Sequence, residues 1–249
     1  MANLILPDPR MEMPELLEPG RKPIGPVSID RDHWAGKHAQ RVILPRAGQV
    51  IELVTNDILT PSGTALVNSK QNAEFDDNGD NDKFQLHSKT PVFNQITVLA
   101  KVKRRAAGGG EDMGIYSDMY IGNWVSSGIS LNLRNASSGI LFAVGNSQVF
   151  TNSTDVAINT WMHVCGTWSV NTMPKTYLNG IELFSGSSGS GGAYAISTGG
   201  DARIGTYYNE AADRTLDGEI EYVYVFDVAF TAEQQREIIR DPYQFLIPA

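Results

Sequence analysis

From Gln95 onward the chain repeats one kind of unit. Short apolar runs, QITVLAKVK, DMGIYSDMYIG, GISLNLR, GILFAVG, WMHVCGTW, KTYLNGIELF, ARIGTYY and GEIEYVYVFD, are divided by Gly, Asn and Ser. Runs of this length, recurring about every ten residues between turn formers, read as strands of an antiparallel sandwich or jelly roll. Within KTYLNGIELF the pair Asn179-Gly180 stands between two apolar stretches. Both central positions of a tight hairpin need positive φ, which Asn and Gly tolerate, so a hairpin is predicted there. Shorter runs, RVIL and QVIELV, precede this region between Gln40 and Val67, and the 24 Gly and 12 Pro of the chain suit many turns and short strands. FTAEQQREII is the convincing helix, with Thr231 placed as N-cap, Gln234 three residues on as its capping-box partner, and Pro242 as terminator.

The segment TWMHVCGTW brings His163 within two residues of Cys165, the single Cys of the chain. A reactive thiol needs a base in hydrogen-bond reach, and side chains two apart on a strand stand about 6.5–7 Å from each other. Zinc needs three or four ligands, and the other histidines are the scattered His33, His38 and His87. The strand reading is therefore preferred. It puts Trp161, His163 and Cys165 on one face and Met162, Val164 and Gly166 on the other.

Residues 1–30 hold six prolines, at positions 7, 9, 14, 19, 23 and 26. Proline removes backbone donors and favours extended conformations, so an arm is expected over residues 1–38, a sandwich over 39–241 and a tail over 242–249. The arm's apolar side chains, among them Leu4, Leu6, Met11, Leu16, Leu17 and Ile24, are too few to form a core of their own. Their burial would need another surface, which makes them candidate anchors. Net charge is −8, and residues 111–249 carry six Lys/Arg against 15 Asp/Glu, so nucleic acid is not an expected partner. No run reaches the roughly 18 apolar residues of a membrane span, and MANLILPDPRMEMPELLEPG breaks its apolar start with Pro and acids, unlike a signal peptide. One Cys excludes an intrachain disulfide and suits folding in a reducing compartment.

Several motifs occur in an order that resembles the laminin-G-like jelly roll of the concanavalin A-like lectin and glucanase superfamily. AEFDDNGDNDKFQL is similar to the opening F-D-G-x-x-D-Y-V hairpin of that family, QITVLAKVK to its first long strand, and WMHVCGTW with TYLNGIEL to its W-x-H-V strand and N-G hairpin. ARIGTYY and LDGEIEYVYVFDVAFTAEQQREI are similar to its closing elements. The resemblance covers about Phe75 to Ile239 and implies an all-β, two-sheet antiparallel jelly-roll sandwich, here with an extended Pro-rich N-terminal arm and one short C-terminal helix. It also implies that His163 and Cys165 sit in a structural strand. The ends, PELLEPGRKPIGPVSIDRDHWAGK and REIIRDPYQFLIPA, resemble those of lectin-like jelly-roll proteins encoded in bacteriophage genomes, which read P-V-x-I-D-W-x-H-P-L and N-P-[WY]-Q-[LF]-F. Pro26, Val27, Ile29 and Asp30 keep the first half of the opening pattern, whereas Trp34 follows His33 instead of preceding it and no Pro-Leu comes after.

Because the superfamily includes glucanases, carboxylate pairs need weighing. Retaining enzymes of this fold place E-[IL]-D-x-x-E on one strand, and the corresponding stretch here runs Glu219, Ile220, Glu221, Tyr222, Val223, Tyr224, without the third carboxylate. Glu219 and Glu221 read as a solvated strand face, or Glu221 as a turn-fixing acid, and no catalytic residue is assigned. Asp76, Asn78, Asp80 and Asp82 offer alternate oxygen ligands that suit Ca²⁺, against the plainer reading of a solvated turn. Beyond that option no cofactor is expected. Lys101, Lys103 and Arg105 are expected to alternate into solvent, and Trp124, Tyr207 and Tyr208 either stack on sugar rings or belong to the core.

Two functions follow as expectations. The first is a non-enzymatic virion protein, assembled in the bacterial cytoplasm as a capsid decoration (cement) protein, anchored through its arm to the major capsid protein or other virion subunits and forming a homo-oligomer. The second is a carbohydrate-binding adhesin of a phage tail or cell surface, with surface glycans as partners.

Overall fold

The computed structural model describes residues 8–76, 81–106, 112–118, 128–134, 139–145, 147–150, 156–183, 187–188, 201–207 and 214–249. Two antiparallel sheets face each other. The larger runs Ile181–Leu183, Lys175–Leu178, Met162–Ser169, Gln95–Arg104, Gly218–Phe226, Ala39–Arg46, Gln49–Glu52 and Asp57–Ile58, with Ala73–Phe75 and Leu66–Val67 paired off that path. The smaller contains Ser147–Phe150, Ile140–Val144, Ile129–Arg134, Asp112–Ser117, Arg203–Ile204, Lys83–Gln85 and Thr60–Ser62 in that order, with Ser187–Ser188 at its other edge. The expected hairpin is present: Asn179 and Gly180 have φ of 52° and 75° and join two strands of the larger sheet.

Alternation along the strands fills the space between the sheets. Ile96, Val98, Ala100 and Val102 point inward from one sheet and Ile129, Leu131, Leu133, Ile140, Phe142 and Val144 from the other. Met162 and Val164 join this inner core, and Gly166 lies on the same face. A Cβ at Gly166 would lie 2.1 Å from Cγ of Phe142, so this strand position must stay bare for the ring to pack. Cys165 points to the opposite face of the larger sheet, where a second core lies.

That second core is built by both chain ends. In the arm, residues 8–38 lie against the larger sheet, where Met13, Leu16 and Val27 join the outer core. Pro9–Glu12 and Pro14–Leu17 form 3₁₀ turns, each opened by the fixed φ of a proline at its start. Met13 and Leu16 are 8% and 2% exposed and pack in the outer core. Val27–Ile29 pairs with Leu246–Pro248, so arm and tail form a ribbon of their own. The helix Ala232–Arg240 completes the layer, and its capping box is formed: Gln234 N–H donates to Thr231 Oγ1 at 3.2 Å, and Thr231 N–H to Gln234 Oε1 at 2.9 Å. Tyr222 stacks on Tyr224 at 4.3 Å, and Phe245 meets Tyr224 edge-on at 5.1 Å. Proline spacing carries no record of this layer, since the surface that covers Leu16 comes from strands and a tail far along the chain.

Candidate functional site

Along Met162–Ser169 the outward residues are committed to structure. Burial, with Lys101 beside it, pushes the His163 imidazole down to about 4, so the ring is neutral near pH 7. Its Nδ1 is hydrogen-bonded to the Tyr222 hydroxyl at 2.7 Å. The Cys165 thiol is buried, burial pushes its pKa well up, and its hydrogen bond goes to the Gly166 carbonyl. A thiol held neutral beside no base is not a nucleophile. Among the described residues no group of three or more His, Cys, Asp or Glu is arranged to hold a metal ion.

Neither Glu219 nor Glu221 is a solvated carboxylate. Glu219 pairs with Lys103 and also accepts the side-chain amides of Asn68 and Asn72, each at 3.0 Å. Burial raises its pKa, but those three hydrogen bonds outweigh it and hold the carboxyl below its usual value. Glu221 pairs with Lys101 at 2.8 Å and accepts the Tyr243 hydroxyl at 2.8 Å. The two lysines lie 5.6 and 5.3 Å from the centroid of the Trp161 ring. Lys101, Lys103 and Arg105 thus form an ionic ladder across strands instead of standing free in solvent, with Arg105 bound to Glu74 and Asp217. The pairing puts Lys103 opposite Glu219 in the register of Gln95–Arg104 with Gly218–Phe226, a non-local fact. Tyr224, at the third carboxylate position of the glucanase pattern, is buried and donates to the Pro242 carbonyl at 3.0 Å.

Of the four candidate calcium ligands, Asn78 and Asp80 lie outside the described residues. Asp82 is buried and works as a staple: its carboxylate accepts from Thr64 N–H at 2.6 Å, Thr64 hydroxyl at 2.7 Å and Asp76 N–H at 3.0 Å. Gly63 makes room for it, since a Cβ there would fall 2.0 Å from Asp82 Oδ1. The Asp76 side chain is exposed.

The six candidate anchors divide. Leu4 and Leu6 lie outside the described residues, Leu16 is spent in the outer core, and Met11, Leu17 and Ile24 are 63%, 47% and 79% exposed. Below Ile24 the arm crosses a pocket of about 320 Å³, bounded by Lys22, Pro23 and Ile24 on one side and by Arg46, Lys70 and Gln71 on the other. The Lys22 ammonium is held by the backbone carbonyls of Gln71 and, at 3.2 Å, Glu221, and burial lowers its pKa to about 8. Sequence reasoning missed this pocket. Its residues come from three separated stretches, and only the cluster of lysines and arginine in space marks it.

Sequence reasoning also missed a polar stripe on the outward side of the smaller sheet. In ISLNLR the apolar residues face the core, while Ser130 and Asn132 face away, and both are buried. The Ser130 hydroxyl donates to Asn132 Oδ1 at 2.9 Å, and among the described residues Asn132 Nδ2 has no hydrogen-bond partner. Asp118 lies at the rim of that sheet, where burial raises its carboxyl to about 6 against the pull of Thr90, the Ile129 N–H, Arg41 and Arg203. Trp124 and Tyr208, expected either to stack on sugars or to fill the core, fall outside the described residues, and Tyr207 is buried with Arg214 over its ring at 4.9 Å.

Two antiparallel sheets around one aliphatic core, closed by a capped helix, define a lectin-like jelly roll. The sequence profile of the concanavalin A-like lectin/glucanases superfamily, in its Laminin_G_3 form, matches residues 77–234, more than half of the chain, and the chain belongs to that family. No curated protein matches the sequence. Among solved structures it is similar to the receptor binding domain of botulinum neurotoxin C/D mosaic serotype, at 13% identity and a TM-score of 0.63, over 82% of this chain and 51% of that one. A structure of botulinum neurotoxin type C, whose cell entry is described as dependent on two ganglioside molecules, is similar at 10% identity and a TM-score of 0.60, with coverages of 82% and 51%. A sialidase of Trypanosoma rangeli is similar at 13% identity and a TM-score of 0.56, with coverages of 82% and 32%. This chain therefore spans about half the length of the toxin domains and a third of the sialidase, and at such identities the likeness is one of fold.

Proposed function

We propose that this chain is a non-enzymatic structural and binding protein of a phage virion, a lectin-fold knob that decorates the capsid and is held there through its N-terminal arm. The observation that carries the reading is the arm itself. Docked on the sandwich and tied to the tail, it keeps Met11, Leu17 and Ile24 exposed within a 14-residue stretch. Holding apolar side chains in water on an ordered segment is unfavourable, and contact with a capsid subunit or a second copy of the chain would relieve it. The two ends that resemble phage-encoded proteins also form one structural unit, which supports the same reading. A non-enzymatic role is supported by Glu219 and Glu221, each neutralised by its own lysine where a glycosidase needs a free acid and a free nucleophile. Replacing Met11, Leu17 and Ile24 together by Ser should reduce occupancy on assembled particles at least tenfold, as counted on micrographs, while the melting temperature stays within a few degrees. Unchanged occupancy would remove the anchor.

A second reading, a carbohydrate-binding adhesin of a phage tail or cell surface, is supported by the shared fold with a toxin described as ganglioside-dependent. Specific binding of the full-length protein on a glycan array would favour it.

A further inference from the structure

We infer that the pocket between the arm and the larger sheet is a binding site for a carboxylate carried on a ring-sized ligand, of the uronic-acid class of sugars, with Arg46 as its main recognition group. The charge is the first argument. Among the described residues Lys22, Arg46 and Lys70 line the pocket, and no carboxylate does. In a chain of net charge −8, three cations without an acid among them are a local reversal. Two acids of adjoining segments are already engaged: Glu221, whose carbonyl holds Lys22, with Lys101 and Tyr243, and Glu15 with the Ile24 N–H at 3.2 Å.

Arg46 supplies the second argument. A guanidinium has five N–H donors. Among the described residues Arg46 makes one hydrogen bond, from Nη1 to the Gly25 carbonyl at 2.9 Å, while its Nε is buried without a partner. Burial lowers its pKa with no carboxylate opposing the shift. Gln71 Oε1, on the same wall, is buried and unpaired as well. Unpaired buried polar atoms cost free energy unless something enters to bond them, and a planar carboxylate matches the guanidinium fork better than any neutral oxygen. Gln71 Oε1 would accept from a ring hydroxyl beside it.

Shape is the third argument. About 320 Å³ is the size of a small-ligand pocket, and Pro23, Ile24 and Ala47 give it an apolar side against which the face of a ring can lie. Lys22 cannot drift, since two backbone carbonyls fix its ammonium, so the charge is preorganised. The inference is independent of the anchor reading and borrows from the carbohydrate reading only the ring that bears the carboxylate.

The test compares two probes that differ at C6, D-glucuronate and D-glucose, titrated into the full-length protein by NMR. Glucuronate should bind with a Kd of about 1–10 mM and glucose at least tenfold more weakly. Arg46→Ala should abolish glucuronate binding, and Lys70→Ala, at an exposed position that leaves folding untouched, should weaken it about threefold to tenfold. Equal affinity for the two sugars, no glucuronate binding at about 50 mM, or unchanged affinity in Lys70→Ala would overturn the site, as would inorganic phosphate binding as tightly as glucuronate. Glycan-array binding that survives Arg46→Ala while glucuronate stays silent would sink this pocket and leave the carbohydrate reading standing.

Discussion

The protein has two cores on opposite sides of one sheet, and they are made of different material. Among the described residues, five of 32 buried side chains between the sheets are aromatic, whereas seven of 18 are aromatic on the outer face beneath the arm, helix and tail. Two twisted sheets close-pack through branched aliphatic side chains that interdigitate at a spacing of about 10 Å. The outer layer is made of short turns, a two-stranded ribbon, a helix and the loops between them, whose free carbonyls and side chains must find partners, and tyrosine offers both a large apolar ring and a hydroxyl. Tyr222, Tyr224 and Tyr243 use their hydroxyls in this way, toward His163, the Pro242 carbonyl and Glu221. The inner core therefore fixes the sandwich, and the outer core fastens the two ends to it.

If that division is right, damage to the two cores should differ in kind. The largest effect is expected from Phe142→Ala, which empties space in front of Gly166 at the centre of the inner core. It should cost about 3–5 kcal/mol in a single cooperative denaturant transition. A smaller loss, about 2–3 kcal/mol, is expected for Leu16→Ala, together with faster protease cleavage before residue 30 and an intact sandwich in near-native spectra. Equal loss and a single transition in both variants would mean that the two cores are one folding unit.

The smallest effect concerns pH and the seam itself. His163 titrates near 4 in the folded chain instead of 6.5, so the unfolded state takes the proton first as pH falls, and stability is lost between about pH 6.5 and 4. Asp118 acts in the opposite sense, because its carboxyl is raised to about 6 and the folded state takes that proton first. The reading is therefore the difference between parent and His163→Gln, which keeps a hydrogen-bond partner for Tyr222 and should be the flatter of the two across this window. A parent and variant with parallel pH profiles would show that His163 is not held neutral by the outer core.

The strands were legible because each writes its alternation locally. ISLNLR and QITVLAKVK show which residues face inward without reference to any neighbour. Asn179-Gly180 and Thr231 with Gln234 were legible for the same reason, since positive φ and a capping box are settled within four residues. The ladder of Lys101 and Lys103 with Glu221 and Glu219 was not, because four charged residues on two strands say nothing about register until the strands pair. Nor was the pocket, whose Lys22, Arg46 and Lys70 meet only when the arm has docked.

The arm marks the boundary most clearly. Sequence by itself determined that Pro9 and Pro14 would punctuate it and that residues such as Met13 and Leu16 could not form a core alone. Tertiary structure alone decided that their partner would be the chain's own larger sheet, with the tail paired at Val27–Ile29, and that Met11, Leu17 and Ile24 would remain outside. The physical reason is that backbone preference is set by neighbours a few residues away, whereas burial is set by whichever apolar surface reaches the segment, and that surface comes from residues some 200 positions later.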